Sequence, residues 1–136
     1  MLKLLFGFNG RVRRSQWWLA RIGTTIGAVL IGGVIVAFSE AMFGRSALDN
    51  GEPAAASAGG LLILAVLFFY LWTSLAVTVK RWHDRDKSGF FVLIGMIPLI
   101  GPIWTLIECG CLDGTQGPNQ FGRSPKGIGD AAEAFA

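Results

Sequence analysis

Charge is scarce in this chain. Of its 136 residues, 15% are Asp, Glu, Lys or Arg, against about 25% in an ordinary soluble domain. A water-facing surface needs that charge, so a freely soluble globular class is disfavoured. Histidine occurs once and cysteine twice. No metal site is expected from so few ligands, because a stable site needs three or four convergent groups. Cys109 and Cys111 stand two apart, where a helix points them to different faces. They read as structural thiols, poorly placed to bond each other. A cleavable signal peptide is also missing from the pattern. Met1–Gly10 has only a short apolar run, Arg11, Arg13 and Arg14 follow it, and no small-residue cleavage site appears. The first apolar helix is therefore expected to act as the targeting element.

What the chain has is apolar residues, 52% of the total. They fall in three long blocks instead of alternating with polar residues at a helix or strand period. The blocks are Trp17–Phe38, Gly60–Val79 and Phe90–Cys111. Each is about 20 residues, or roughly 30 Å as a helix, the hydrocarbon thickness of a bilayer. The expected fold class is an all-α integral membrane protein with about three transmembrane helices, near 17–38, 60–79 and 90–111. An amphipathic segment leads in. Residues 1–126 form a single membrane domain, and 127–136 are expected to be a disordered tail.

The lead-in, residues 1–16, carries Leu2, Leu4, Leu5, Phe6 and Phe8 beside Lys3, Arg11, Arg13 and Arg14. Such a segment can lie in the interface with its cations near lipid phosphates. Trp17 and Trp18 mark the headgroup level, and Arg21, one turn further in, is expected to snorkel back to it. Gly23 and Gly27, with Ala20, Thr24 and Ala28 beside them, form a small-residue face on which another helix can pack. In the second block Tyr70, Thr73, Ser74 and Thr78 share one helical face, expected to meet other helices or, less simply, to line a polar conduit. Residues 39–59 form a polar connection with turn signals at Asn50-Gly51 and Pro53 and room for a short surface helix. The third block is interrupted by Pro98, Gly101 and Pro102, which kink a helix or turn the chain into a re-entrant hairpin.

Lysine and arginine distribution sets the orientation. Four lie before the first block (Lys3, Arg11, Arg13, Arg14) and four in the 80–89 loop (Lys80, Arg81, Arg85, Lys87), but only Arg45 lies in the 39–59 connection. The first two segments are expected to be cytoplasmic and the connection external. Three full crossings would leave the C-terminal tail outside, whereas a hairpin would return it inside.

Three motifs punctuate the chain: Phe8-Asn9-Gly10-Arg11-Val12-Arg13-Arg14 before Trp17-Trp18, Lys80-Arg81-Trp82-His83-Asp84 before Lys87-Ser88-Gly89-Phe90, and Gly114-Thr115-Gln116-Gly117-Pro118-Asn119-Gln120-Phe121-Gly122 before Pro125. In this order and spacing they resemble the bacterial inner-membrane proteins grouped as domain of unknown function 805. The resemblance runs from about Phe6 to Pro125. Trp82 departs from it, standing where the family usually has an aliphatic residue, and so does the long outer connection. It implies an inner-membrane location and a helical span, and no reaction.

The residues themselves offer three functions. The leading one is a non-enzymatic membrane protein that binds anionic lipid headgroups, or a membrane partner, as a homo-oligomer. Its headgroup-binding residues would be Arg11, Arg13, Arg14, Arg81, His83, Arg85 and Lys87, with helix packing through Gly23, Gly27, Thr73 and Ser74. The second is an oligomeric channel or transport component around the Tyr70–Thr78 stripe. The third is a lipid-modifying enzyme using His83 and Asp84, since imidazole titrates near neutral pH. No nucleophile is tied to His83, and adjacent residues on a helix do not face each other. No catalytic residue, cofactor or nucleic-acid partner is assigned, because no corresponding motif is present.

Overall fold

A computed structural model describes residues 5–44, 50 and 53–127. The regular structure among the described residues is helical, with one isolated bridge between Asn119 and Gly122 and no strand. The order is α1 (Arg14–Phe43), α2 (Pro53–Asp84), a 3-10 segment (Gly89–Met96), α3 (Ile100–Thr105) and a π-helical continuation (Leu106–Cys111). The expected tail beyond 127 and most of the outer connection lie outside the described residues.

Two helices have the length and apolarity to cross a bilayer, α1 and the Gly59–Asp84 part of α2. Both run past the blocks that predicted them. Lys80–Asp84, expected as loop, is the last helical stretch of α2. It stays helical because Lys80, Arg81, Trp82 and Asp84 are buried there and cannot turn out to water.

The third block differs from a single spanning helix. After the 3-10 segment the chain reverses at Pro98-Leu99. Leu99 sits at φ +66°, and the Ile100 N–H donates to the Pro98 carbonyl at 2.8 Å, a tight γ-turn at a positive φ that a leucine rarely adopts. The two arms then pack directly on each other. A Cβ at Gly101 would stand 2.1 Å from the Ile94 carbonyl oxygen, so only glycine admits this approach. Each arm is about 16–18 Å long, roughly half the hydrocarbon core. The block is therefore the hairpin that Pro98, Gly101 and Pro102 allowed.

The chain divides into two compact units. Unit 1 comprises residues 1–22 and 73–136, and unit 2 comprises 23–72. Unit 1 holds a core of Val12, Trp17, Ala20, Val77, Trp82 and Cys109, with Leu5 and Val92 packed on it. The amphipathic lead-in thus docks through Leu5 and Val12. Trp17, expected at the headgroup level, is a core residue instead, as is Trp82. Trp17 lies 5.0 Å edge-to-face from Trp18, and Trp82 lies 5.5 Å from Phe91. An indole that prefers the interface is equally suited to a core, and the positions alone did not separate the two.

Unit 2 is the paired apolar run of α1 and α2. Only Ser39 and Gly59 are buried among its described residues, and a Cβ at Gly59 would meet the Ser39 hydroxyl at 3.0 Å. Most of its apolar side chains, such as Val29, Val34, Leu61 and Leu64, are exposed, as lipid-facing residues are.

Candidate site: a buried charge cluster and a cationic pocket

The three sequence motifs meet in unit 1, and their meeting point is Asp84. Arg11 donates Nε–H to Asp84 Oδ1 at 2.9 Å, and the Arg81 guanidinium pairs with Oδ2. All three side chains are at most 4% exposed. An isolated buried charge is prohibitively costly, so the pairing is obligatory. The remaining donors are also used. Arg11 gives N–H bonds to the carbonyls of Gly117 at 2.7 Å and Thr115 at 2.6 Å. Arg81 gives Nε–H to the Cys109 carbonyl at 2.8 Å and also reaches the carbonyls of Val12 and Leu112.

The third motif closes over the same point. The Thr115 N–H donates to the Asp84 carbonyl at 2.8 Å, and Asn119 Nδ2 donates to the His83 carbonyl at 2.8 Å. Phe121 stacks flat on the His83 imidazole, with ring centroids 3.9 Å apart. Gly114 has no room for a side chain, since a Cβ would stand 1.8 Å from Asp84 Oδ2.

The second arm of the hairpin ends on this cluster. The last carbonyls of a helix lack intrahelical partners and carry partial negative charge. Here side chains serve them. Trp18 Nε1 donates to Gly110 at 3.1 Å, and Arg14 donates to Cys111 at 3.0 Å. The π-helical widening turns Glu108, Cys109 and Gly110 inward together. Glu108 accepts from Lys87 at 2.7 Å and from Arg85 at 3.1 Å. Burial pushes its carboxyl pKa up, but these two cations outweigh it and hold it below the ordinary value.

The seven residues expected to bind headgroups therefore separate. Arg11 and Arg81 are a correction: they face inward and neutralise Asp84. Arg85 and Lys87 are committed to Glu108, and His83 is covered by Phe121. Both oxygens of Asp84 are taken by arginines, so His83 and Asp84 are not arranged as an acid–base pair. Arg21 also differs from expectation. Instead of snorkelling, it donates to Ser74 Oγ at 2.7 Å and lies over the Trp17 ring. Ser74 and Thr78, bonded by Arg21 and Trp17, thus meet α1 within unit 1. Tyr70 meets Thr25 within unit 2. A Cβ at Gly23 or Gly27 would touch nothing within 4 Å, so the chain makes no close approach there.

Arg13 and Arg14 remain exposed. With Ser15, Asp113 and Lys126 they line a pocket of ≈ 300 Å³ at the start of α1. Asp113 is bonded by Lys126 at 3.1 Å and lies 3.7 Å from Arg14. The Lys126 hydrogen bond and the Arg14 charge hold its carboxyl pKa below the ordinary value. Sequence reasoning missed Ser15, Asp113 and Lys126. The only available signal was the basic content of the tail, Arg123 and Lys126. Among the described residues no group of three or more His, Cys, Asp or Glu is placed to hold a metal ion.

Residues 5–123 match the family described as "Protein of unknown function (DUF805)". The chain is similar to "Inner membrane protein YhaH" of Escherichia coli (strain K12), 34% identical over 129 residues that span 93% of each chain. It is also similar to "Inner membrane protein YhaI" of the same strain, 32% identical over 126 residues, 93% of this chain and 92% of the relative. No solved structure matches.

Proposed function

This chain belongs to the family described as "Protein of unknown function (DUF805)", and on that premise we propose that it is a multi-pass inner-membrane protein with a cytoplasmic N-terminus, binding anionic lipid headgroups and assembling with copies of itself. The observation that carries the reading is the pocket at the start of α1. Arg13, Arg14 and Lys126 surround it against one carboxylate, Asp113. Each exposed cation near an anionic membrane surface contributes about 1 kcal/mol. The first N–H groups of a helix lack intrahelical partners and favour an anion. α1 has no acidic residue in its first turn to serve that role. Because α1 enters the apolar region within one turn, the pocket lies at headgroup depth.

The orientation rests on the lysine and arginine asymmetry between the two ends of the helices. Self-association rests on the open small-residue face at Gly23 and Gly27. Native mass spectrometry with phosphatidylglycerol against phosphatidylcholine tests the binding. Wild type should retain phosphatidylglycerol preferentially, and a combined Arg14→Ala, Lys126→Ala variant should lose the preference. Equal retention of the two lipids by wild type would overturn the reading.

A further inference from the structure

The cationic pocket is not empty of anions, because the chain supplies one. Asp113 accepts from Lys126 at 3.1 Å and faces Arg14 at 3.7 Å. Its side chain is 55% exposed, with Lys126 and Arg14 as its ion-pair partners among the described residues, and Arg85 donates to its backbone carbonyl. It lies two residues past Cys111, the hairpin's last helical residue, and directly precedes Gly114, whose packing on Asp84 fixes the backbone. Its carboxylate is thus delivered to the pocket by the buried cluster while remaining free to rotate away. Arg13, whose Nε–H donates to the Pro125 carbonyl, and Ser15, with its hydroxyl, complete the lining.

We propose that Asp113 is a built-in competitor for this site and that the site selects a phosphomonoester dianion over a phosphodiester monoanion. The proposal rests on the anionic-headgroup reading and deepens it. The lining has three cations and one carboxylate, a surplus of two positive charges. A phosphodiester that displaces Asp113 exchanges one monoanion for another and gains less than a dianion does. A phosphomonoester brings a second negative charge to the same cations, which carry three positive charges once Asp113 has moved away. It also has more oxygens to accept from Arg14, Lys126 and Ser15 than a carboxylate does. At the high effective dielectric of an exposed site, one extra charge at contact distance is worth about a five-fold preference. Removing Asp113 removes the competition for both anions alike, so both should gain.

The test uses the full chain in phosphatidylcholine nanodiscs doped with either phosphatidic acid, a monoester, or phosphatidylglycerol, a diester. Retained lipid is read by native mass spectrometry for wild type and Asp113→Asn. Wild type should retain phosphatidic acid about five-fold over phosphatidylglycerol. Asp113→Asn should raise the retention of both anionic lipids. Asp113 is exposed, so the variant should keep its fold, checked by an unchanged melting temperature. Equal retention of both anionic lipids by wild type would overturn the selectivity. Reduced retention of both in Asp113→Asn would overturn the competitor role and make Asp113 an organiser of the cations. Either result leaves the headgroup reading standing, which fails separately if neither anionic lipid exceeds phosphatidylcholine. Adding inorganic phosphate identifies the source of the dianion. Phosphatidic acid that survives millimolar phosphate assigns the site to a lipid, and loss of it assigns the same chemistry to soluble phosphate.

Discussion

In unit 1, an aspartate and two arginines are buried together, bonded by the lead-in, the end of the hairpin and the C-terminal stretch; in unit 2, most described side chains are apolar and exposed. Both units draw on the same two helices, α1 and α2. What differs is the solvent each region must satisfy. A segment in hydrocarbon meets its backbone needs within the helix and has apolar surroundings for its side chains. It needs little internal packing, and Thr25, Ala28, Gly32, Ile63, Val66 and Tyr70 even border a groove of ≈ 420 Å³. A region of irregular chain at the membrane surface has no such solution. Loops, a short hairpin and helix ends leave many carbonyls unpaired, and in unit 1 arginine side chains collect them. The comparison teaches that the basic residues of this protein divide in two. Some, such as Arg13 and Arg14, are exposed, and others, such as Arg11 and Arg81, are internal ties.

The comparison can be broken most severely at Asp84. Asp84→Asn leaves two buried guanidiniums without their carboxylate, and removing one partner of such a pair costs about 3–5 kcal/mol. Near-UV circular dichroism should lose the signal of the packed unit 1 tryptophans, while far-UV helicity from the spanning helices persists. Loss of both signals together would mean that the two regions are not separable in this way. A smaller effect is expected from Gly114→Ala. The added methyl meets Asp84 Oδ2, and forced overpacking of this kind costs about 1–3 kcal/mol. Thermal unfolding in detergent should show a lowered midpoint, and an unchanged one would deny the close approach. The smallest effect should come from unit 2. Leu64 is 62% exposed, so Leu64→Ala should change stability by no more than about 0.5 kcal/mol. A drop comparable with that of Gly114→Ala would show that unit 2 is packed against something.

The two spanning helices were legible in the sequence because the length of an apolar run is a direct physical requirement of the bilayer. The hairpin was half legible. Pro98, Gly101 and Pro102 announced a break, but only the packing of Gly101 on Ile94 decides between a kink and a reversal. The three motifs were visible as strings, yet their convergence on Asp84 was not. An arginine in a loop beside a membrane looks the same whether it faces lipid phosphates or a buried carboxylate. Arg11 and Arg81 carried no mark to separate them from Arg13 and Arg14. Asp113 and Lys126 were hidden for another reason: they lie in a turn-forming stretch far in sequence from Arg14, and nothing local links them to it.

The central claim is that the lead-in, the end of α2 and the C-terminal stretch form one unit, which requires all three to lie on the same side of the membrane. Arg11 holds the carbonyls of Thr115 and Gly117 directly, so a tail on the far side is incompatible with it. The direct measurement is labelling by a membrane-impermeant thiol reagent in a variant lacking Cys109 and Cys111, with single cysteines at Asn9, Gln120 or, as the external control, Asp49. The account predicts that positions 9 and 120 are both silent in intact cells and both labelled in everted membranes, with 49 the reverse. Labelling of 9 and 120 from opposite sides would contradict it.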